Sequence, residues 1–269
     1  MILPVPVRKT PIHAMAGRDR GRQVSGRDLK SAFGWHARIG YICPSVFELI
    51  AYDFYRIAPP GIGLIGVTCM IEGWSAEAYK RGLDQISRCA TELGRRQCDF
   101  IVHSGVPLVV TQGEDFAQKV VGQIEAISGT PSTTSIVAAM TSLRELGIHR
   151  VGLVNPYPDD LNEALVKFLN AHGFEVGSVV SLGADFTRIG NVTPGDVYAA
   201  AKRSIAAAGR VDGLYLPCPQ FPVLDVIEEI ETDSGVPAVS HLGAEIYVAL
   251  KTVGIRAPIR GFGRLLSML

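Results

Sequence analysis

Arg38-Ile39-Gly40-Tyr41-Ile42-Cys43-Pro44-Ser45 is matched in register by Arg150-Val151-Gly152-Leu153-Val154-Asn155-Pro156-Tyr157. Each stretch opens on an arginine, runs through mostly apolar residues and stops at a proline, which has no amide hydrogen to give to a sheet ladder. Two further landmarks recur in the same order. Asp99-Phe100-Ile101-Val102-His103-Ser104-Gly105 corresponds to Asp212-Gly213-Leu214-Tyr215-Leu216-Pro217-Cys218, and Ser128-Gly129-Thr130-Pro131 to Ser234-Gly235-Val236-Pro237. Landmarks matched in one order, at a spacing too long for a solenoid unit, predict two structurally similar halves.

Working outward from these stretches, short apolar runs that end in Pro or Gly alternate with longer helical patterns, as expected of strands buried on both faces of a mostly parallel sheet. The predicted strands are Arg38–Cys43, Gly63–Thr68, Phe100–Ser104, Val151–Asn155, Glu175–Ser181, Gly213–Pro217 and Ala238–His241. This is the α/β class, as two pseudo-symmetric Rossmann-like halves, each a mostly parallel four-stranded sheet flanked by helices. Residues 36–146 with 242–269 are expected to form the first half and 147–241 the second, because the segment from about Leu242 has no counterpart and should cross back onto the first. Ligands of open α/β sheets sit beyond the carboxyl ends of the strands, so two facing halves enclose a cleft there. Across it the repeat pairs Gly105 with Cys218, and Ser45 with Tyr157.

The bulk composition narrows the chemistry. The chain has 269 residues, 47% of them hydrophobic and 19% charged, with 26 basic against 26 acidic side chains. Neutrality offers no electrostatic footprint for nucleic acid or an anionic membrane, and no apolar stretch is long enough to span a bilayer, so a small molecule is the expected partner. Five cysteines, Cys43, Cys69, Cys89, Cys98 and Cys218, are scattered and odd in number, which predicts reduced thiols and a cytoplasmic location. No GxGxxG follows a strand, no phosphate-binding GxxxxGK[ST] loop occurs and no metal-ligand cluster stands out, so no nucleotide, flavin, metal or other cofactor is expected. Residues 1–35, rich in Arg and Lys and without an apolar core, read as a poorly ordered basic arm and not as a secretory signal. Apolar helices in a neutral protein suggest a homo-oligomer.

From about Trp35 onward the chain resembles the aspartate/glutamate racemase superfamily, and within it the arylmalonate decarboxylase and maleate isomerase branch. The resemblance is carried by Gly40-Tyr41-Ile42-Cys43-Pro44, Ala76-Glu77-Ala78-Tyr79, the turn from Gly105 to Gly113, Leu143 to Val151, Tyr157-Pro158-Asp159-Asp160-Leu161-Asn162 and Gly263-Arg264-Leu265. Racemases and isomerases of the superfamily use two facing cysteines, whereas arylmalonate decarboxylases have glycine at the first position. Gly105 opposite Cys218 therefore implies a one-cysteine site, with Gly105, Val106, Tyr157, Ser45, Pro44, Gln220 and Tyr79 around the substrate. The pattern departs from the decarboxylases in having Val106 and Pro107 where they carry Thr-Ser. It departs from amino-acid racemases in having Cys218-Pro219-Gln220 where they often carry Cys-Thr-His.

Such a site predicts loss of CO2 from a 2-substituted malonate-type or related small dicarboxylic acid, followed by protonation of the resulting enediolate by Cys218. The enediolate oxygens need donors, for which the amides of Gly105, Val106 and Gln220 and the hydroxyls of Tyr157 and Ser45 are candidates, while Pro107 and Pro219 have no N–H to give. An apolar surround of Leu216 and Phe221 should keep the thiol protonated, and a helix expected to begin near Pro222 should oppose it. Cys43 also ends a strand facing the cleft, and as a second thiol it would favour racemisation or cis–trans isomerisation. A carboxylate-binding protein without turnover is the reading from another class. Asp159, Asp160 and Asn162 are expected to cap the following helix, and Tyr79, His103 and His241 to be mainly structural.

Overall fold

Aspartates at the same place in each half anchor the two central strands, which accounts for the repeat. In the computed structural model, which describes residues 33–269, the Asp99 carboxylate accepts the Arg38 amide at 2.7 Å and Asp212 accepts that of Arg150 at 2.8 Å. The prolines of the third landmark serve both halves alike: Pro131 accepts the amide of Ile101 at 3.0 Å and Pro237 that of Leu214 at 2.9 Å. Each repeated residue closes a backbone group that the ladder would otherwise leave open.

The first half runs β1 (Ala37–Cys43), α1 (Leu49–Ile57), β2 (Ile62–Thr68), α2 (Ala76–Asp84), α3 (Ile86–Arg95), β3 (Phe100–His103), α4 (Val106–Val110), α5 (Phe116–Ser128), β4 (Ser132–Thr134) and α6 (Ser135–Glu145). The second runs β5 (Arg150–Asn155), α7 (Asp159–Ala171), β6 (Glu175–Ser181), a 3-10 turn at Phe186–Asn191, α8 (Pro194–Ala208), β7 (Gly213–Leu216), α9 (Ile227–Ser234), β8 (Ala238–Ser240), α10 (His241–Thr252) and α11 (Arg264–Ser267). Both sheets are wholly parallel, and their orders, β2-β1-β3-β4 and β6-β5-β7-β8, are the same walk. Tyr41 in β1 is flanked by Gly66 and Val102, as Leu153 in β5 is flanked by Val179 and Tyr215.

The structure differs from the sequence expectation at two strands. β4 is a strand that no apolar run announces, because its three residues, Ser-Thr-Thr, form the last rung before a helix. His241 opens α10 instead of ending β8, since Ser240 caps that helix by accepting the Gly243 amide at 3.1 Å. Residues 1–32 of the basic arm lie outside the described residues, while Phe33 and Trp35 lie against Gly63 and Gly61 at the edge of the first sheet.

The halves are joined by exchange of helices. α6 follows the first sheet and packs on α10 and on β7 and β8; α10 follows the second sheet and packs on α6, β3 and α1. One hydrophobic core consequently contains Ile39, Tyr41 and Val102 together with Val151, Leu153 and Tyr215. Among the described residues no helix is long and apolar enough to cross a membrane.

His103, at the end of β3, is fully buried, and neither ring nitrogen has a hydrogen-bond partner in another residue. Burial lowers its pKa to about 4. The unfolded chain, with an ordinary histidine near 6.5, binds the extra proton first, so stability is full above about pH 6.5 and declines as pH falls toward 4. Urea denaturation should show a loss of roughly 2 to 3 kcal/mol between pH 7 and 4.5 from this group. His103→Leu should remove that part of the slope; a variant with the wild-type slope would mean that other groups carry it.

Candidate active site

Beyond the carboxyl ends of β1, β3, β5 and β7 lies a cavity of about 390 Å³. Cys43, Pro44 and Ser45 reach it from the end of β1, Gly105 from β3, Tyr157 from β5, and Cys218 and Gln220 from β7. Strand ends that the repeat equates thus meet in one space. Two expected residues stand outside its wall. Val106, the first residue of α4, is turned into the core, and Tyr79 on α2 is buried with a hydroxyl that has no hydrogen-bond partner.

The facing positions share an unusual backbone. Gly105 has φ +114° and Cys218 has φ +101°. For glycine this region is open, whereas a side chain there is strained, at a cost of about 1–3 kcal/mol. A Cβ at position 105 would also come within 3.0 Å of Leu108 Cδ1 and 3.3 Å of Pro44 Cβ. The Gly105 amide donates to Ser135 Oγ at 3.1 Å and the Cys218 amide to His241 Nδ1 at 3.1 Å. The Gly105 N–H expected to meet an oxyanion is therefore already bonded.

Gln220 is also committed, since its Oε1 accepts the Leu49 amide at 3.0 Å and its Nε2 donates to the Val46 carbonyl at 2.8 Å. Its own N–H lies toward the Cys218 sulfur, and the Phe221 N–H donates to the Cys218 carbonyl at 3.2 Å. Gln220 lines the cavity as a clasp between the 46–49 loop and the second half, with no donor left for an enediolate. The hydroxyl-bearing residues Ser45 and Tyr157 are the other expected donors on the wall. Tyr157 is held firmly: its amide donates to Asn155 Oδ1 at 2.8 Å, and its carbonyl accepts from Asn162 Nδ2 at 3.0 Å and Ser181 Oγ at 2.5 Å. Asn162, expected as a helix cap, is buried and instead links Asn155 to Tyr157; the cap position of α7 is Pro158.

Burial pushes the Cys218 thiol up to about 12, against the two amides that favour the thiolate. The helix expected near Pro222 begins at Ile227, so its N-terminus is not beside the sulfur. Cys43 is raised to about 12 as well, by burial, and its S–H points to the Val46 carbonyl at 3.4 Å. Both thiols are therefore protonated at neutral pH, and both line the cavity.

The remaining wall is largely apolar, with Ile50, Ile71, Leu108 and Ile189 beside the aromatic pair Trp74 and Phe186. Trp74 packs edge-on against Phe186 at 4.8 Å and against Tyr157 at 5.6 Å between ring centroids. These residues come from the segment after β2 and from the 3-10 turn after β6, neither of which the strand-end pattern picks out. The charged side chains of the wall are Glu48 and Glu72, and it includes no Lys or Arg. Among the described residues no cluster of His, Cys, Asp or Glu could hold a metal ion.

The fold is shared with known proteins. The family model described as arylmalonate decarboxylase matches residues 40–266. The arylmalonate decarboxylase of Bordetella bronchiseptica is 31% identical over 238 residues, covering 84% of this chain and 95% of that protein. A maleate isomerase of Nocardia farcinica is 31% identical over 189 residues, covering 68% of this chain and 74% of that one. Among solved structures, the liganded form of a double mutant of arylmalonate decarboxylase superposes with a TM-score of 0.81 at 28% identity, over 85% of this chain and 98% of that chain. With its two matching parallel sheets and the cleft between their carboxyl ends, this chain belongs to the arylmalonate decarboxylase family, in a branch of the aspartate/glutamate racemase superfamily that also holds maleate isomerases.

Proposed function

We propose that the chain is a cofactor-independent decarboxylase of a 2-substituted malonate or a related small dicarboxylic acid. The observation that carries this reading is Gly105 facing a protonated cysteine, Cys218, in the same left-handed backbone on the opposite side of the cavity. With no side chain at 105, no second proton donor stands at the position that the repeat pairs with Cys218. The carbon–carbon bond to one carboxylate breaks, CO2 leaves, and the electron pair remains on an enediolate. Cys218 then gives its S–H proton to the α-carbon, and the thiolate regains a proton from solvent.

The apolar wall favours the first step. A carboxylate pressed against Trp74, Phe186 or Ile189, where the wall has no cation, loses hydration that nothing replaces, and neutral CO2 does not suffer that loss. The carboxylate that is kept requires donors, and with the Gly105 and Gln220 amides engaged elsewhere we assign that role to the hydroxyls of Ser45 and Tyr157. Removing one such donor typically costs about 3 kcal/mol of transition-state stabilisation, or roughly a hundredfold in rate. Tyr157→Phe should accordingly lower kcat by about that factor.

One observation favours an isomerase or racemase instead: Cys43 lines the same cavity. Proton NMR in D2O with a panel of 2-substituted malonates, maleate and small chiral acids separates the readings, using wild type, Cys218→Ala and Cys43→Ala. A decarboxylase gives CO2 and product with one deuterium at the α-carbon, abolished by Cys218→Ala and retained by Cys43→Ala. Fumarate formation or α-proton exchange that needs both thiols would overturn the decarboxylase reading.

The pH profile tests the thiol itself. A donor with its pKa near 12 stays protonated well past the ordinary thiol range near 8.5, so decarboxylation should stay level from pH 7 to 10. A rate that climbs about tenfold per pH unit across that range would identify the thiolate as the working form and exclude Cys218 as a proton donor.

A further inference from the structure

Beneath the cavity, the two facing backbone positions are tied to one carboxylate. His241 and Ser135, which accept the amides of Cys218 and Gly105, are the first residues of α10 and α6, the exchanged helices of the two halves. Because His241 Nδ1 accepts, the ring proton is on Nε2, which lies 3.0 Å from Glu245 Oε1 and 2.9 Å from Ser104 Oγ. Ser135 Oγ donates to the same Glu245 Oε1 at 2.7 Å, and the Tyr41 hydroxyl lies 2.7 Å from Glu245 Oε2. Tyr41, Ser104, Ser135, His241 and Glu245 are each at most 2% exposed.

The arrangement breaks the two-fold likeness of the halves. Four residues after Ser135, where α10 carries Glu245, α6 carries Ala139. Among the described residues no Lys or Arg pairs with Glu245, so this carboxylate is held by neutral donors, and a charge buried in that way is costly unless every lone pair is used. Its bond to Nε2–H also selects the histidine tautomer: with the proton on Nδ1, His241 could not accept the Cys218 amide, and the strained turn would lose the partner that holds it.

We infer that Glu245 is a positioning residue, which through His241 and Ser135 sets where residues 218 and 105 stand across the cavity. This rests on the reading of Cys218 as the reacting thiol. The device acts on backbone amides and touches no substrate, so its loss should displace the thiol while leaving the apolar wall intact.

The test is iodoacetamide labelling at pH 8, followed cysteine by cysteine by peptide mass spectrometry, with Cys69, Cys89 and Cys98 as references. His241→Phe and Glu245→Ala should speed the labelling of Cys218 at least fivefold with the references unchanged. Glu245→Gln should stay within twofold of wild type, because its carbonyl still accepts from His241 and Ser135 while its amide donates to the Tyr41 oxygen. If Glu245→Ala does not fold, His241→Phe alone decides. Cys218 labelling within twofold of wild type in the folded variants, or all five cysteines accelerating together, would overturn the inference. With 2-phenylmalonate or maleate as probe, His241→Phe should lower kcat at least tenfold and change KM less than twofold. If wild type turns over neither probe, the functional reading falls, while the labelling still decides the role of Glu245.

Discussion

The cavity depends on two left-handed turns at the ends of matching strands. A parallel strand normally feeds its helix through a loop that leads the chain away from the sheet. At Gly105 and Cys218 φ is positive instead, and each turn is held by a hydrogen bond from its amide to the first residue of the helix that follows the neighbouring strand. At Gly105 this conformation costs little. At Cys218 it is strained, and strain of that kind persists in a fold only where the surroundings leave the chain no alternative. Here they include the His241 acceptor, the Phe221 amide bonded to the Cys218 carbonyl and the Gln220 clasp.

Electrostatics follow from that geometry. Because the turn places the thiol in a buried position against an apolar wall, burial outweighs the two local amides and the proton stays on sulfur. The same wall is poor at solvating a carboxylate. The proposed reaction, with a neutral thiol as donor and a carboxylate lost from an apolar region, is consistent with both features, neither of which asks for a cation. The charged side chains of the wall itself, Glu48 and Glu72, are exposed, and Arg81 lies 3.6 Å from Glu72 and partly offsets it.

Much of this was legible in the sequence because the repeat records hydrogen bonds. Asp99 and Asp212 recur since each closes the amide at the start of a central strand, and Pro44 and Pro156 recur since each ends a ladder at the cleft. Residues at the strand ends, Cys43, Ser45, Gly105, Tyr157 and Cys218, could therefore be placed before any coordinates. Residues whose role depends on contacts between distant segments could not. β4 is too short and polar to show periodicity, and Val106 and Pro107, neighbours in sequence, part company because one begins a buried helix turn and the other faces the cavity. Glu245 lies eight residues past Pro237, beyond the last landmark, and a carboxylate in an α10 sequence of His-Leu-Gly-Ala-Glu reads as surface until both halves are folded around it. Asn155 and Asn162 are seven residues apart and resemble turn residues until their side chains meet at 2.7 Å beside Tyr157.

The duplicated scaffold has been made one-sided at each matched position of the site. Cysteine faces glycine at 218 and 105; histidine faces serine at 241 and 135; Glu245 faces Ala139. The end of β1 shows the same divergence. In the second half the residue before the cleft proline is Asn155, whose carboxamide is consumed in holding Tyr157. Its counterpart Cys43 meets the Ser45 amide with a sulfur, a weaker acceptor than the Asn155 carboxamide, and its S–H points to the Val46 carbonyl at 3.4 Å. A side chain held by weaker bonds than its partner is freer to serve the cavity it lines. On the decarboxylase reading proposed above, the outcome depends on which of two sulfurs, the strained Cys218 or the unstrained Cys43, lies on the face of the substrate carbon from which the proton arrives. The positive φ that the fold sustains at Cys218, and does not ask of Cys43, supports Cys218 in that role.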